Sequence, residues 1–322
     1  MGALRQLTIS QQVALLFVAF FGVLTLATLF AMYRSLRDLT PAQQALHERF
    51  KQDLGATWFG AVLFWVSWVT GAVVATVLFG IVSFYAFREF ITLTHTRRAD
   101  HRALIAAFFF VLPAQFVLAG SERFDLFTVF VPVYVFFAIP VISAFGNDPH
   151  RFLERTAKIQ WAIMVCIYGM SHAPALLLLD PPGYEGRGAF LVFYLVVVVV
   201  TGQVVQEIAS RRIRALPAAR AISRSFSWRA WLIGAAAGAL VGALLYWATP
   251  FKPVPALVMG FVAAGAGTLG EFVMQALKRD AGVRRGRGRG AVTGAVGLLD
   301  RVAPLCFAAP VFFHSVRWYF GW

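Results

Sequence analysis

The sequence predicts an all-α, polytopic bundle of about nine membrane-spanning helices, and three observations carry that expectation. Hydrophobic residues make up 59% of the 322, mean hydropathy is +0.71 and only 14% of residues are charged, too few to coat a soluble globule of this size. Apolar runs long enough to cross about 30 Å of hydrocarbon recur along the whole chain. The basic residues, finally, gather in alternate connections between those runs. Lys and Arg number 29 against 15 Asp and Glu, a formal charge of +14. In a soluble chain that excess points first to nucleic acid; in a membrane chain it marks loops that face anionic lipid and the cytoplasm.

In order, the runs cover 13–32, 59–84, 104–119, 126–145, 161–179, 189–208, 231–248, 254–277 and 304–320. The first is too long for a signal-peptide core and no small-residue cleavage site follows it, so it is read as a spanning helix. Gly and Ala dominate 234–244 and 260–270, which lets helix backbones approach closely in lipid. Cys166 and Cys306 both lie in apolar runs, as packing residues do, and this argues against a disulfide framework or a zinc site.

Orientation follows from the loops. Arg88, Arg97, Arg98 and Arg102 flank the end of the second run, and Arg151, Arg155 and Lys158 follow the fourth. Six arginines, Arg211 to Arg229, follow the sixth, and seven basic residues from Lys278 to Arg301 surround the turn after the eighth. The loops after runs three, five and seven carry one basic residue each, Arg123, Arg187 and Lys252. The basic loops and the N-terminus are therefore expected on the cytoplasmic side. Segment 34–56 is the exception, because its charges nearly cancel.

Ionisable residues at membrane depth are costly and are functional candidates by default. Glu271 stands within the eighth run, seven residues before Lys278, so the two lie on nearly one helix face two turns apart. A carboxylate beside Lys278, Arg279 and Asp280 suits binding of a cation or a phosphate. Glu207 closes the sixth run. His172, followed by Ala173 and Pro174, reads as a packed histidine bonded to a neighbouring carbonyl. The run 283–290, VRRGRGRG, has the look of an RNA-binding tract, but it is short, has no interleaved aromatic residue and lies between two spanning helices. A phosphate-attracting loop at headgroup level is the better reading, and no nucleic-acid partner is expected.

Several segments resemble the integral membrane phosphatidate cytidylyltransferases, also called CDP-diacylglycerol synthases, and within them a bacterial branch. They are 83–103 (SFYAFREFITLTHTRRADHRA), 151–161 (RFLERTAKIQW), 171–174 (SHAP), 278–283 (KRDAGV) and 297–314 (GLLDRVAPLCFAAPVFFH). The similarity spans 83–322 of what is read as one membrane domain, 1–322, with 1–82 less family-like. The resemblance implies a bacterial inner-membrane enzyme of phospholipid synthesis, in which a phosphate of phosphatidic acid attacks the α-phosphorus of CTP to give CDP-diacylglycerol and pyrophosphate. It implies Mg²⁺ held by Glu271, Asp280 and Asp300, and catalytic charge from Lys278, Arg279, Asp300 and Arg301. It also implies substrate binding by Ser223, Ser227, Arg284 and Arg285. A homodimer is compatible with it.

Against the family pattern, Gln203 stands where an Asp is expected, Glu271 replaces an Asp, and Gln275 replaces a Ser. Arg284-Arg285 take the place of Lys-Asp, and Ala303 that of a closing Asp. Three acids, Glu271, Asp280 and Asp300, now stand among thirteen basic residues in the two arginine-rich loops. Losing one preorganised charge stabiliser costs about 10² to 10³ in rate. Two readings follow: a cytidylyltransferase, or a catalytically inactive paralogue that keeps the fold and binds an anionic lipid or a lipid-synthesis partner. A transporter is a weaker third, since no inverted repeat is visible.

Overall fold

The computed structural model describes residues 8–37, 40–213, 216–223, 226–282 and 297–322. Its described residues form ten helices and no strand. The chain divides into two compact units, Met1–Gly71 and Ala72–Trp322. The first holds α1 (Ile9–Ser35) and α2 (Pro41–Thr70). Thr8 and Gln11 cap α1 reciprocally, Pro41 opens α2, and rings of Phe17, Phe21, Trp58 and Trp65 pack between the two helices.

The second unit holds α3 (Ala72–Thr92), α4 (Arg98–Gly120), α5 (Phe124–Ala144) and α6, which runs through Phe152–Ala162, a π-helical stretch Ile163–Gly169 and Met170–Leu177. It continues with α7 (Gly188–Arg212), α8 (Trp228–Leu244), α9 (Pro253–Asp280) and α10 (Leu298–Phe320). Helices α1, α3, α4, α5, α7 and α9 are long and apolar enough to cross a membrane, and α8 is a shorter apolar helix. Phe109, Phe110, Val117 and Phe137 are each about two-thirds or more exposed, an outward apolar surface that only hydrocarbon satisfies.

The expected second run, 59–84, is not one helix. Gly71 adopts φ 87°, a left-handed value that glycine takes without steric cost, and it ends α2 before α3 begins. Hydropathy does not register such a break, so nine runs become ten helices. The last helix also starts earlier than its apolar run, at Leu298 rather than 304, because Asp300 is paired and can be carried into the first turn.

Helices α7, α8 and α9 form the tightest part of the second unit. A Cβ on Gly234 of α8 would lie 2.6 Å from the Gly202 carbonyl of α7, and one on Gly260 of α9 would lie 2.8 Å from the Gly238 carbonyl of α8. The Gly- and Ala-rich segments thus do what their composition predicted. Helix α10 seats Pro304 against Gly267 of α9 and Cys306 against Gly169 of α6. Both cysteines are buried and free.

Contacts between connections place alternate loops at a common end of this unit. Arg97 of the α3–α4 turn lies 3.3 Å from Asp148 of the α5–α6 turn. Arg155, almost fully buried, lies 3.1 Å from Asp100 and 2.6 Å from Asp148 and donates to the carbonyls of Asp148 and His150. A buried guanidinium with this many acceptors locks the two turns together. Arg279 at the end of α9 donates to the Ala221 carbonyl of the α7–α8 loop, and Glu89 at the end of α3 reaches the start of α10. At the far end Tyr184 donates to the Ala248 carbonyl, and Arg317 lies 3.2 Å from Asp125. The four connections that carry most of the arginines therefore share one end, as the alternation of charge required.

The Asp148 carboxyl is held below its ordinary value of 3.8 by the His150 amide first, and then by Arg155 and Arg97. Its folded-state value is the lower one, so its contribution to stability is complete above about pH 4 and is lost as pH falls through the lowered value. Acid unfolding in detergent should accordingly shift to higher pH in Asp148→Asn than a neutral surface variant shows. An unchanged acid midpoint would remove Asp148 from the clamp.

Candidate functional site

The start of α10 organises the arginine-rich end. A helix N-terminus leaves backbone amides without partners, and the Glu89 carboxylate of α3 supplies an acceptor. Its Oε2 lies 2.9 Å from the Leu298 amide and 3.3 Å from the Leu299 amide. Gly297, with φ 73°, turns the chain into that helix. One residue past this cap, Asp300 forms an ion pair with Lys278 of α9, both about a quarter to a third exposed. Glu89 lies within electrostatic reach of both.

One layer deeper, Glu271 of α9 faces α7. Gln203 Nε2 donates to its Oε2 at 3.0 Å, and Gln275 Nε2 donates to its Oε1 at 3.3 Å. Both carboxylate oxygens are thus engaged by neutral amides. Gln275 and Lys278 continue along the same face of α9, at one turn and two turns from Glu271. Gln206 follows Gln203 one turn on in α7. The Oε1 atoms of Gln206 and Gln275 are buried without a hydrogen-bond partner.

The remaining predicted residues divide clearly. Lys278 and Asp300 come together as an ion pair, while Glu271 stands two turns back along α9 with Gln203 and Gln275 as its partners. Arg279 and Arg301 flank them and are exposed, as is Asp280 at the last turn of α9. Ser223 and Ser227 have local partners. Ser223 is fully buried and its Oγ accepts from the Phe226 amide, while Ser227 caps α8 by accepting from the Ala230 amide. Arg284 and Arg285 lie outside the described residues. His172 is the packed histidine expected of it, with Nδ1 2.7 Å from the Tyr168 carbonyl.

The carboxylates do not fit a metal pair. Among the described residues no three His, Cys, Asp or Glu side chains gather where they could hold a metal ion. The segment 283–296, outside those residues, contains no acid, His or Cys in its sequence. Two catalytic metals about 3.5–4 Å apart require several carboxylates to offset their charge. Here Glu271 is committed to two amides, Asp300 to Lys278, and Glu89 to a helix cap.

Sequence reasoning missed Glu89. It stands beside Arg88 inside the first family-like segment but past the end of the apolar run 59–84, so the rule that marked Glu271 did not reach it. Its partner is 209 residues away, and no local pattern reveals that.

Ten described helices with apolar outer faces, the eight of the second unit gathering their basic turns at one end, make this a polytopic membrane protein. The chain belongs to the cytidylyltransferase family, whose pattern matches residues 51–319 and so reaches back beyond residue 83 into α2. The Escherichia coli K12 protein YnbB, itself uncharacterized, is 29% identical over 267 residues, covering 81% of this chain and 86% of that one. This relative fits a bacterial branch of the family.

If Glu89 holds the first turn of α10, Glu89→Ala should lower stability by about 1 kcal/mol, the usual loss for a helix cap. Glu89→Gln, which keeps an acceptor, should lose less. Thermal unfolding in detergent measures both, and equal losses for the two variants would refute the capping role.

Proposed function

We propose that this protein is a phosphatidate cytidylyltransferase-like membrane protein that takes CTP and phosphatidic acid at the arginine-rich end of α3–α10. The observation that carries the reading is the Lys278–Asp300 ion pair, held between α9 and the Glu89-capped start of α10 inside the family-matched region. In the reaction a phosphate oxygen of phosphatidate forms the new bond to the α-phosphorus of CTP. The bond to the β-phosphate bridge breaks and pyrophosphate leaves, with CDP-diacylglycerol as product. Lys278, Arg279 and Arg301 supply positive charge at the place where phosphates meet, and charge neutralisation with positioning is most of what phosphoryl-type transfer asks of a protein.

A second reading is favoured by one observation, the engagement of both Glu271 oxygens by Gln203 and Gln275. In it the protein is a catalytically silent family member that binds CTP or an anionic lipid headgroup at the same end. One assay separates the two. Purified protein with CTP, Mg²⁺ and phosphatidic acid should yield CDP-diacylglycerol, reduced about 10²-fold or more in Lys278→Ala and Asp300→Ala. Absence of product, together with retention of CTP or of phosphatidate vesicles, selects the silent reading.

The arginine-rich end faces the cytoplasm of the bacterial inner membrane in this proposal, because short basic loops are retained there. A single cysteine at Ala218, in a chain with Cys166 and Cys306 replaced, should resist membrane-impermeant thiol reagents in intact spheroplasts and react after lysis. Labelling before lysis would reverse the orientation.

A further inference from the structure

We propose that this site holds its phosphate ligand on lysine and arginine directly, with Glu271 serving as a tie between α7 and α9 and not as a ligand of a divalent metal. The inference rests on the reading above that a phosphate-bearing ligand occupies the arginine-rich end.

Three features of the structure support it. The Glu271 carboxylate is satisfied by two amide donors that come from opposite sides, Gln203 across the helix interface and Gln275 from its own helix. A metal would have to displace both, leaving part-buried amide hydrogens without acceptors, which costs free energy. The oxygen that Gln275 brings beside Glu271 belongs to a neutral amide, which adds no charge to offset a divalent ion. The other carboxylates within electrostatic reach, Glu207 and Asp300, are already paired with Arg211 and Lys278.

The cationic residues complete the argument. Lys278 lies on the same face of α9 as Glu271 and Gln275, so the polar stripe leads from the amide layer to the cationic end. Arg279 and Arg301 flank that opening and are exposed. A guanidinium meets phosphate oxygens in a bidentate fork and stays charged at every physiological pH, which suits direct phosphate capture. The orphan amide oxygen of Gln275 on that stripe is left to accept from a hydrogen-bond donor on the same ligand.

The test reads metal and nucleotide separately. Protein in nanodiscs is titrated with Mn²⁺ in the absence of nucleotide, and the free-ion resonance is followed for the wild type, Glu271→Gln and Glu271→Ala. We expect the three to deplete Mn²⁺ equally, and Glu271→Ala to lower the thermal midpoint by the same amount with and without Mn²⁺. A stoichiometric Mn²⁺ site that disappears in either variant overturns the proposal. In the second measurement labelled CTP is retained on the wild type in a chelator and in Mg²⁺. Affinities within about threefold support the proposal, and a loss of about tenfold or more in chelator overturns it. If CTP is retained under neither condition, the CTP reading of the previous section fails, while the Mn²⁺ titration still decides the role of Glu271.

Discussion

Much of the second unit depends on how the first turn of α10 is satisfied. Backbone amides at a helix start must find acceptors, and where few waters reach them the protein has to supply one. Glu89 does so from α3, and the positive end of the helix dipole favours its charge. With that turn fixed, Asp300 is aimed at Lys278, so α10 is joined to α9. Arg279, the next residue of α9, then anchors the α7–α8 loop through the Ala221 carbonyl. Three helices and one loop are linked by a single series of charge-assisted contacts.

The glutamine layer answers a related difficulty. An acid in an apolar interior requires compensation by charge or by hydrogen bonds, and a cluster of acids requires cations as well. Gln203 and Gln275 reduce the demand to one carboxylate with one donor for each oxygen. Such an arrangement is self-sufficient without any ion. It also explains how the chain can depart from its family's acidic pattern at these positions and still pack α7 against α9.

Helices such as α7 and α9 were legible in the sequence because long apolar runs have few alternatives in lipid. The grouping of the arginine-bearing turns at one end was legible from the alternation of charge. The break at Gly71 was not, since a backbone torsion has no hydropathy, and the start of α10 was hidden because Asp300 and Arg301 look polar until their surroundings are known. Family likeness marked Ser223 and Ser227 as binding residues, and the structure adds local hydrogen bonds by which they build a turn and a helix cap. A serine three residues before Ala230, at the head of an apolar stretch, is itself a capping signal, so that role could have been read. Glu89 was the opposite case, with a visible residue and an invisible partner.

The glycine contacts among α7, α8 and α9 have a bearing on how a lipid gains entry. Where one backbone rests on another's carbonyl, as at Gly234 on Gly202, there is no crevice for a methylene chain. A two-tailed lipid cannot thread this trio of helices from below. For the lipid ligand proposed above, that leaves a sideways approach in the leaflet, with the tails along the outer walls and only the head offered to the polar stripe.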